Sequence, residues 1–94
     1  VFDPDGIQKL NESLFNIFPN PSKGRFAIEF SSTENTKYQL TIVNLLGIEV
    51  YGKEINVNLQ YFETFDVSQL SEGIYYLYLK NDQQLLVKKL IIRK

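Results

Sequence analysis

The side chains that most often carry acid–base, nucleophilic or metal chemistry are nearly missing from this sequence. Its 94 residues include no His, Cys, Met or Trp. Without His, the usual general base near neutral pH and the commonest zinc ligand are absent. Without Cys there is no thiolate metal site and no disulfide framework. The carboxylates do not compensate. Asp3 and Asp5 flank a proline in Asp3-Pro4-Asp5-Gly6, which lacks the repeated acidic spacing of a calcium loop and reads as a solvated turn. A glycosidase needs two carboxyl groups about 5–10 Å apart across one cleft. Glu63 and Asp66 lie three residues apart, which on a strand puts them on opposite faces. No serine-nucleophile elbow, zincin helix or phosphate loop is present, so neither catalysis nor a cofactor is expected. Two other patterns remain. Tyr76 and Tyr78, with Lys80 beyond, form a stripe that could stack on sugar rings or bases. A chain with seven Phe and six Tyr must leave some rings outside, so covering an outer sheet face is the first reading of that stripe. The other pattern is the apolar, basic run Leu85 to Lys94, in which Lys88 and Lys89 read physically as gatekeepers on an aggregation-prone strand. Read functionally, its open edge is a handle for another protein.

These groups must be positioned by strands. Gly73 to Leu79 is an uninterrupted run of aromatic and branched residues entered at a glycine, the signature of a strand covered on both faces. Tyr75, Leu77 and Leu79 are assigned to the core, and Ile74, Tyr76 and Tyr78 to the opposite face. The approach Leu70-x-x-Gly73-x-Tyr75 predicts a tyrosine corner, with the Tyr75 hydroxyl returning to the preceding backbone. Leu14 to Phe18 is a short edge strand ended by Pro19-Asn20-Pro21-Ser22-Lys23-Gly24. Its prolines remove two backbone donors and fix two φ angles, and Gly24 permits a positive φ. Arg25 to Phe30 alternates, with Phe26, Ile28 and Phe30 on one face. Tyr38 to Asn44 alternates again and ends in a turn at Asn44-Leu45-Leu46-Gly47, where Gly47 supplies the special backbone angle. A fourth strand carries Ile48, Val50 and Ile55 and is expected to loosen near Gly52. Val57 to Asp66 is weakly patterned. Asn81-Asp82 is expected to be a tight hairpin turn in left-handed geometry. Gln84 to Ile92 closes the set with Leu86, Leu90 and Ile92 on one face. Lys88 interrupts that face and Lys89 the other.

Seven short strands with turn signals every 8–12 residues predict an all-β, antiparallel, immunoglobulin-like sandwich with minimal helix. The length suits one domain. Residues 1–13 read as a linker and residues 14–94 as the domain. The absence of Met leads to the expectation that the chain is a module of a longer protein. Net charge is −1, which favours neither nucleic acid nor an anionic membrane surface. No stretch approaches the roughly 20 apolar residues of a membrane helix.

Four segments taken in order carry a family likeness: Ile17-Phe18-Pro19-Asn20-Pro21-Ser22-Lys23-Gly24, Ile42-Val43-Asn44-Leu45-Leu46-Gly47, Phe65 through Gly73 to Tyr75, and Val87-Lys88-Lys89-Leu90-Ile91-Ile92. Together they resemble the type A C-terminal sorting domain of cargo proteins of the Bacteroidetes type IX secretion system, over roughly Phe15 to Lys94. The resemblance implies a seven-stranded immunoglobulin-like sandwich without catalytic activity at the end of a larger secreted protein. It implies recognition by an outer-membrane translocon and its shuttle protein, and removal by a surface sortase that cuts before Phe15. It implies a destination at the cell surface or in the medium. The motif positions that it marks are Pro19, Asn20, Pro21 and Gly24, then Asn44 and Gly47, Gly73 and Tyr75, and Lys88 and Lys89. The competing reading is an adhesion or carbohydrate-binding module that uses Tyr76 and Tyr78. Self-association through edge strands is left open.

Overall fold

The computed structural model describes residues 15–32 and 35–94; the expected linker 1–13 and its Asp3–Gly6 turn lie outside the described residues. Seven strands follow one another: β1 (Phe15–Phe18), β2 (Arg25–Ser31), β3 (Thr36–Val43), β4 (Glu49–Val57), β5 (Gln60–Asp66), β6 (Gly73–Lys80) and β7 (Leu85–Ile92). They form a three-stranded sheet in the order β1-β2-β5 and a four-stranded sheet in the order β4-β3-β6-β7. Every strand pair is antiparallel. This is the expected two-layer sandwich, and no described residue is helical.

Period-two alternation explains the core. Phe26, Ile28 and Phe30 of β2 and Phe65 of β5 face Tyr38, Leu40 and Ile42 of β3, Tyr75, Leu77 and Leu79 of β6, and Leu86, Leu90 and Ile92 of β7; all are buried. Burying one such side chain fully contributes about 1.5–3 kcal/mol. Phe30 packs edge to face on Tyr38 of the other sheet at 5.2 Å and on Phe15, its neighbour in the same sheet, at 6.0 Å between centroids. β6 is central in its sheet, between β3 and β7, but it is covered on one face only. Tyr75, Leu77 and Leu79 are buried, while on the outer face Ile74 is exposed and Tyr76 and Tyr78 are half-buried, so the expected cover on both faces is not met.

Three further expectations need correction. β4 does not loosen at Gly52. It runs unbroken, with Gly52 paired to Thr41, and the register shift falls instead between Ile42 and Val43 of β3. Ile48 lies outside the strand and is exposed. The turn before β7 is wider than Asn81-Asp82 and has no left-handed residue. Asn81 N–H donates to the Gln84 carbonyl at 3.0 Å, and the Asn81 side-chain oxygen accepts from the N–H groups of Gln83 and Gln84. Asparagine closes this loop with its side chain, so β7 begins at Leu85. Among the described residues the left-handed non-glycine is Leu59, with φ 63°, in the tight β4–β5 connection.

Candidate functional site

The strand registers bring distant parts of the chain to one end of the sandwich. Arg25, at the start of β2, pairs with Asp66 at the end of β5. Gly73, at the start of β6, pairs with Ile92 at the end of β7, and Val43, ending β3, pairs with Tyr76. Loop 19–24, loop 44–48, the turn 67–72 and residues 93–94 therefore meet at the same end.

Loop 19–24 carries the chain from the three-stranded sheet across to β7. The Phe18–Pro19 and Asn20–Pro21 peptide bonds are both cis. The side-chain amide of Asn20 then acts as a strand residue would. Its Nδ2 donates to the Lys89 carbonyl at 2.7 Å, and its Oδ1 accepts the Ile91 N–H at 2.9 Å. Ser22 continues the pairing with its backbone. Its N–H donates to the Ile91 carbonyl at 2.9 Å and its carbonyl accepts the Arg93 N–H at 2.8 Å, a parallel bridge. The buried Ser22 hydroxyl accepts the Gly24 N–H at 3.1 Å. The second half of the β7 edge is thus capped by a loop rather than a strand.

The same loop is fastened to the turn before β6. The Gly24 carbonyl accepts the Val67 N–H at 2.7 Å. A Cβ at Gly24 would lie 2.6 Å from Ser68 Cα, and Gly24 has φ 111°, so both close approach and backbone angle demand glycine here. The turn is shaped by Asp66, whose Oδ1 accepts the Ser68 N–H at 3.0 Å. Hydrogen bonds from Ser68, and then the neighbouring Arg25 guanidinium at 3.2 Å, hold the Asp66 carboxyl below its ordinary range. The Tyr75 hydroxyl donates to the Ser71 carbonyl at 2.7 Å, which is the expected tyrosine corner. Lys94 closes the circuit, its N–H donating to Glu72 and its ammonium to the Ser68 carbonyl, each at 2.6 Å.

Pro19, Asn20, Pro21, Gly24, Gly73, Tyr75 and the backbone of Lys89 are therefore parts of one hydrogen-bonded end. Asn44 and Gly47 lie at that end in a separate, self-contained loop. Asn44 Oδ1 accepts from the N–H groups of Leu46 and Ile48, Gly47 has φ 81°, and Leu45, Leu46 and Ile48 stand exposed at the tip. Lys88 and Lys89 point to opposite faces of β7. Lys88 is half-buried on the core side between Leu86 and Leu90, and Lys89 is exposed. Tyr76 and Tyr78 lie half-buried on the outer face of the four-stranded sheet. An exposed aromatic pair occurs on the other sheet, where Phe18, the cross-strand neighbour of the small Ala27, and Phe62 approach to 6.1 Å between ring centroids. Sequence reasoning passed over it because Phe18 and Phe62 are far apart in the chain; the outward parity of Phe62 in β5 was the available signal.

Among the described residues no group of three or more His, Cys, Asp or Glu could hold a metal ion. The two layers, the crossing of β1's chain to β7 and the tyrosine corner define an immunoglobulin-like β-sandwich whose motifs converge on one end. The model of the secretion system C-terminal sorting domain family matches residues 16–93, and the chain belongs to that family, the sorting domains of type IX secretion. No protein of curated function matches the chain.

Proposed function

We propose that this chain is a non-catalytic sorting signal read through its motif end, directing an attached cargo across the outer membrane. Family membership supports a secretion sorting role and export to the outer membrane, cell surface or medium. The finer reading places residues 14–94 as the sorting unit and residues 1–13 as its link to the cargo. The translocon and its shuttle protein engage the surface around Pro19, Asn20, Pro21, Gly24, Asn44, Gly47, Gly73, Tyr75, Lys88 and Lys89, and a surface sortase removes the domain by cutting before Phe15. The observation that carries this reading is the assembly of segments far apart in sequence at one end, joined by backbone and amide hydrogen bonds. The strand registers bring these loops together, but the bonds that fasten loop 19–24 to β7 and to the turn 67–72 go beyond what core packing requires.

The test is a fusion of the full chain to a fluorescent reporter with a periplasmic signal, expressed in a cell competent for type IX secretion. The reporter is expected outside the cell, and deletion of residues 85–94 is expected to retain it in the periplasm. Replacing Tyr76 and Tyr78 by serine is expected to leave export intact. Retention of the intact fusion in the periplasm would sink the sorting reading. Export that depends on Tyr76 and Tyr78 but not on residues 85–94 would favour the adhesion-type surface instead.

A further inference from the structure

Strand β7 is the outer strand of the four-stranded sheet, and loop 19–24 caps only part of it. The Lys89 carbonyl, both backbone groups of Ile91 and the Arg93 N–H point away from β6 and are taken up by Asn20 and Ser22. In an antiparallel strand the outward backbone groups belong to alternate residues. The N–H and C=O of Leu85 and Val87, and the N–H of Lys89, therefore point outward along the same edge. Among the described residues nothing bonds them. The flanking side chains Leu85 and Val87 are 57% and 38% exposed. An extended β7 with a capped second half and an open first half is a template of fixed length, and the Asn20 amide is its stop.

Charge decides what fits. The outer face of β6 and β7 carries Ile74, Tyr76, Tyr78 and Lys80 on one strand and Leu85, Val87, Lys89 and Ile91 on the other, with no carboxylate among them. Lys88 points to the core side of the same edge. A second copy pairing through this edge about Val87 would gather Lys88 and Lys89 from both chains without an acid, and an inward lysine on an edge strand is a device against such pairing. A strand bearing carboxylates meets no such penalty. We propose that Leu85 to Lys89 is a strand-addition site for an extended, acidic segment of the export machinery. The partner's backbone bonds the outward groups of Leu85, Val87 and Lys89, and its carboxylates lie beside Lys89 and Lys80. The source of that segment rests on the sorting reading; the edge and its charge preference do not.

Amide exchange on the purified chain tests the edge directly. The probe is a short peptide alternating valine with threonine and carrying a glutamate near each end; its control has lysines instead. In the free chain the Val87 and Lys89 amides are expected to exchange quickly and the Ile91 amide, bonded to Asn20, slowly. The saturating glutamate peptide is expected to slow Val87 and Lys89 by about tenfold or more, leaving Ile91 unchanged and the lysine peptide without effect. Slow Val87 exchange in the free chain would overturn the proposal, because another segment or a second copy then already covers the edge. So would no response to the glutamate peptide, or an equal response to the lysine peptide. In the reporter assay, Val87→Pro removes an N–H that β6 does not use and is expected to lower export about tenfold, while Val87→Thr exports normally. Lys89→Glu is expected to block export and Lys89→Arg to retain it, a comparison that stands even if Val87→Pro fails to fold. An exported parent with unimpaired Lys89→Glu overturns the edge proposal and removes Lys89 from the recognised surface, while the sorting role of the domain stands. A parent that is not exported defeats the sorting reading, while amide exchange still decides the edge.

Discussion

Single atoms set the geometry of the motif end. Gly24 is the sharpest case, since its added Cβ would sit 2.6 Å from Ser68 Cα at a φ of 111°. The neighbour is backbone and cannot rotate away. Gly24→Ala is expected to destabilise the domain by roughly 2–4 kcal/mol in denaturant unfolding. Gly47→Ala, at φ 81° but with nothing within 4 Å of the added carbon, is expected to cost only about 1–2 kcal/mol from backbone strain. Equal losses at the two positions would refute the close-approach account of Gly24. Tyr75 separates packing from hydrogen bonding. Tyr75→Phe keeps the buried ring and removes the 2.7 Å bond to the Ser71 carbonyl, so a loss of about 0.5–1.5 kcal/mol is expected. A neutral result would show that the corner is held by the turn itself.

At the scale of elements, the capped edge of β7 depends on an amide imitating a peptide group. Asn20→Asp keeps the acceptor for the Ile91 N–H but turns the donor to the Lys89 carbonyl into a second acceptor. Two oxygens then face each other, and loop 19–24 is expected to loosen from β7. Faster exchange of the Arg93 amide, whose partner Ser22 lies in the same loop, checks this; unchanged exchange would mean that Ser22 holds the loop alone. The elements themselves were largely legible. Alternation at Phe26-Ile28-Phe30, Tyr38-Leu40-Ile42 and Tyr75-Leu77-Leu79 identifies the core because the strand period is two and each strand has a wet and a dry face. Gly73 and Tyr75 announced their corner for a local reason, since its hydrogen bond spans four residues. The Asn20 lock was not legible, because its partners lie 69 and 71 residues away and an amide in a Pro-rich loop reads as a turn residue. β4 was misread at Gly52 because glycine weakens a strand on average, whereas here the neighbouring strand β3 keeps it in register.

The molecule as a whole is two sheets fastened along both sides. On one side loop 19–24 ties β1 and β2 to β7. On the other, β4 and β5 are joined through Leu59 and by a cluster spanning the two sheets: Lys53 lies 2.5 Å from Glu63, Tyr61 donates its hydroxyl to Glu63, and the Lys53 ammonium sits 5.5 Å from the centre of the Phe65 ring. Partial burial pushes Glu63 upward, but hydrogen bonds from Lys53 and Tyr61 outweigh it and hold the carboxyl below its ordinary 4.5. The Glu63 hydrogen bond raises Lys53, and burial followed by that same carboxylate raises Tyr61. The signs fix the pH response. A carboxyl with a depressed folded-state pKa stabilises the fold above its unfolded value, and that contribution fades as pH falls through the folded value. Lys53 and Tyr61, raised in the fold, contribute fully below their unfolded values and lose that contribution as pH rises through the folded ones. The melting temperature is therefore expected to be flat between about pH 6 and 9, to fall below about pH 4.5 and to fall again above about pH 10. Asp66 at the opposite corner, also depressed, adds to the acid limb. Glu63→Gln should accordingly flatten that limb only in part, leave the Asp66 share, and lower the plateau only slightly, because the Lys53 ammonium that loses its carboxylate is already exposed. Thermal unfolding scanned across pH for the parent, Glu63→Gln and Asp66→Asn measures all three. An acid limb unchanged in Glu63→Gln would show that the sheet-spanning cluster is solvated and that the sandwich is closed on that side by the β4–β5 connection and the buried Phe65 alone.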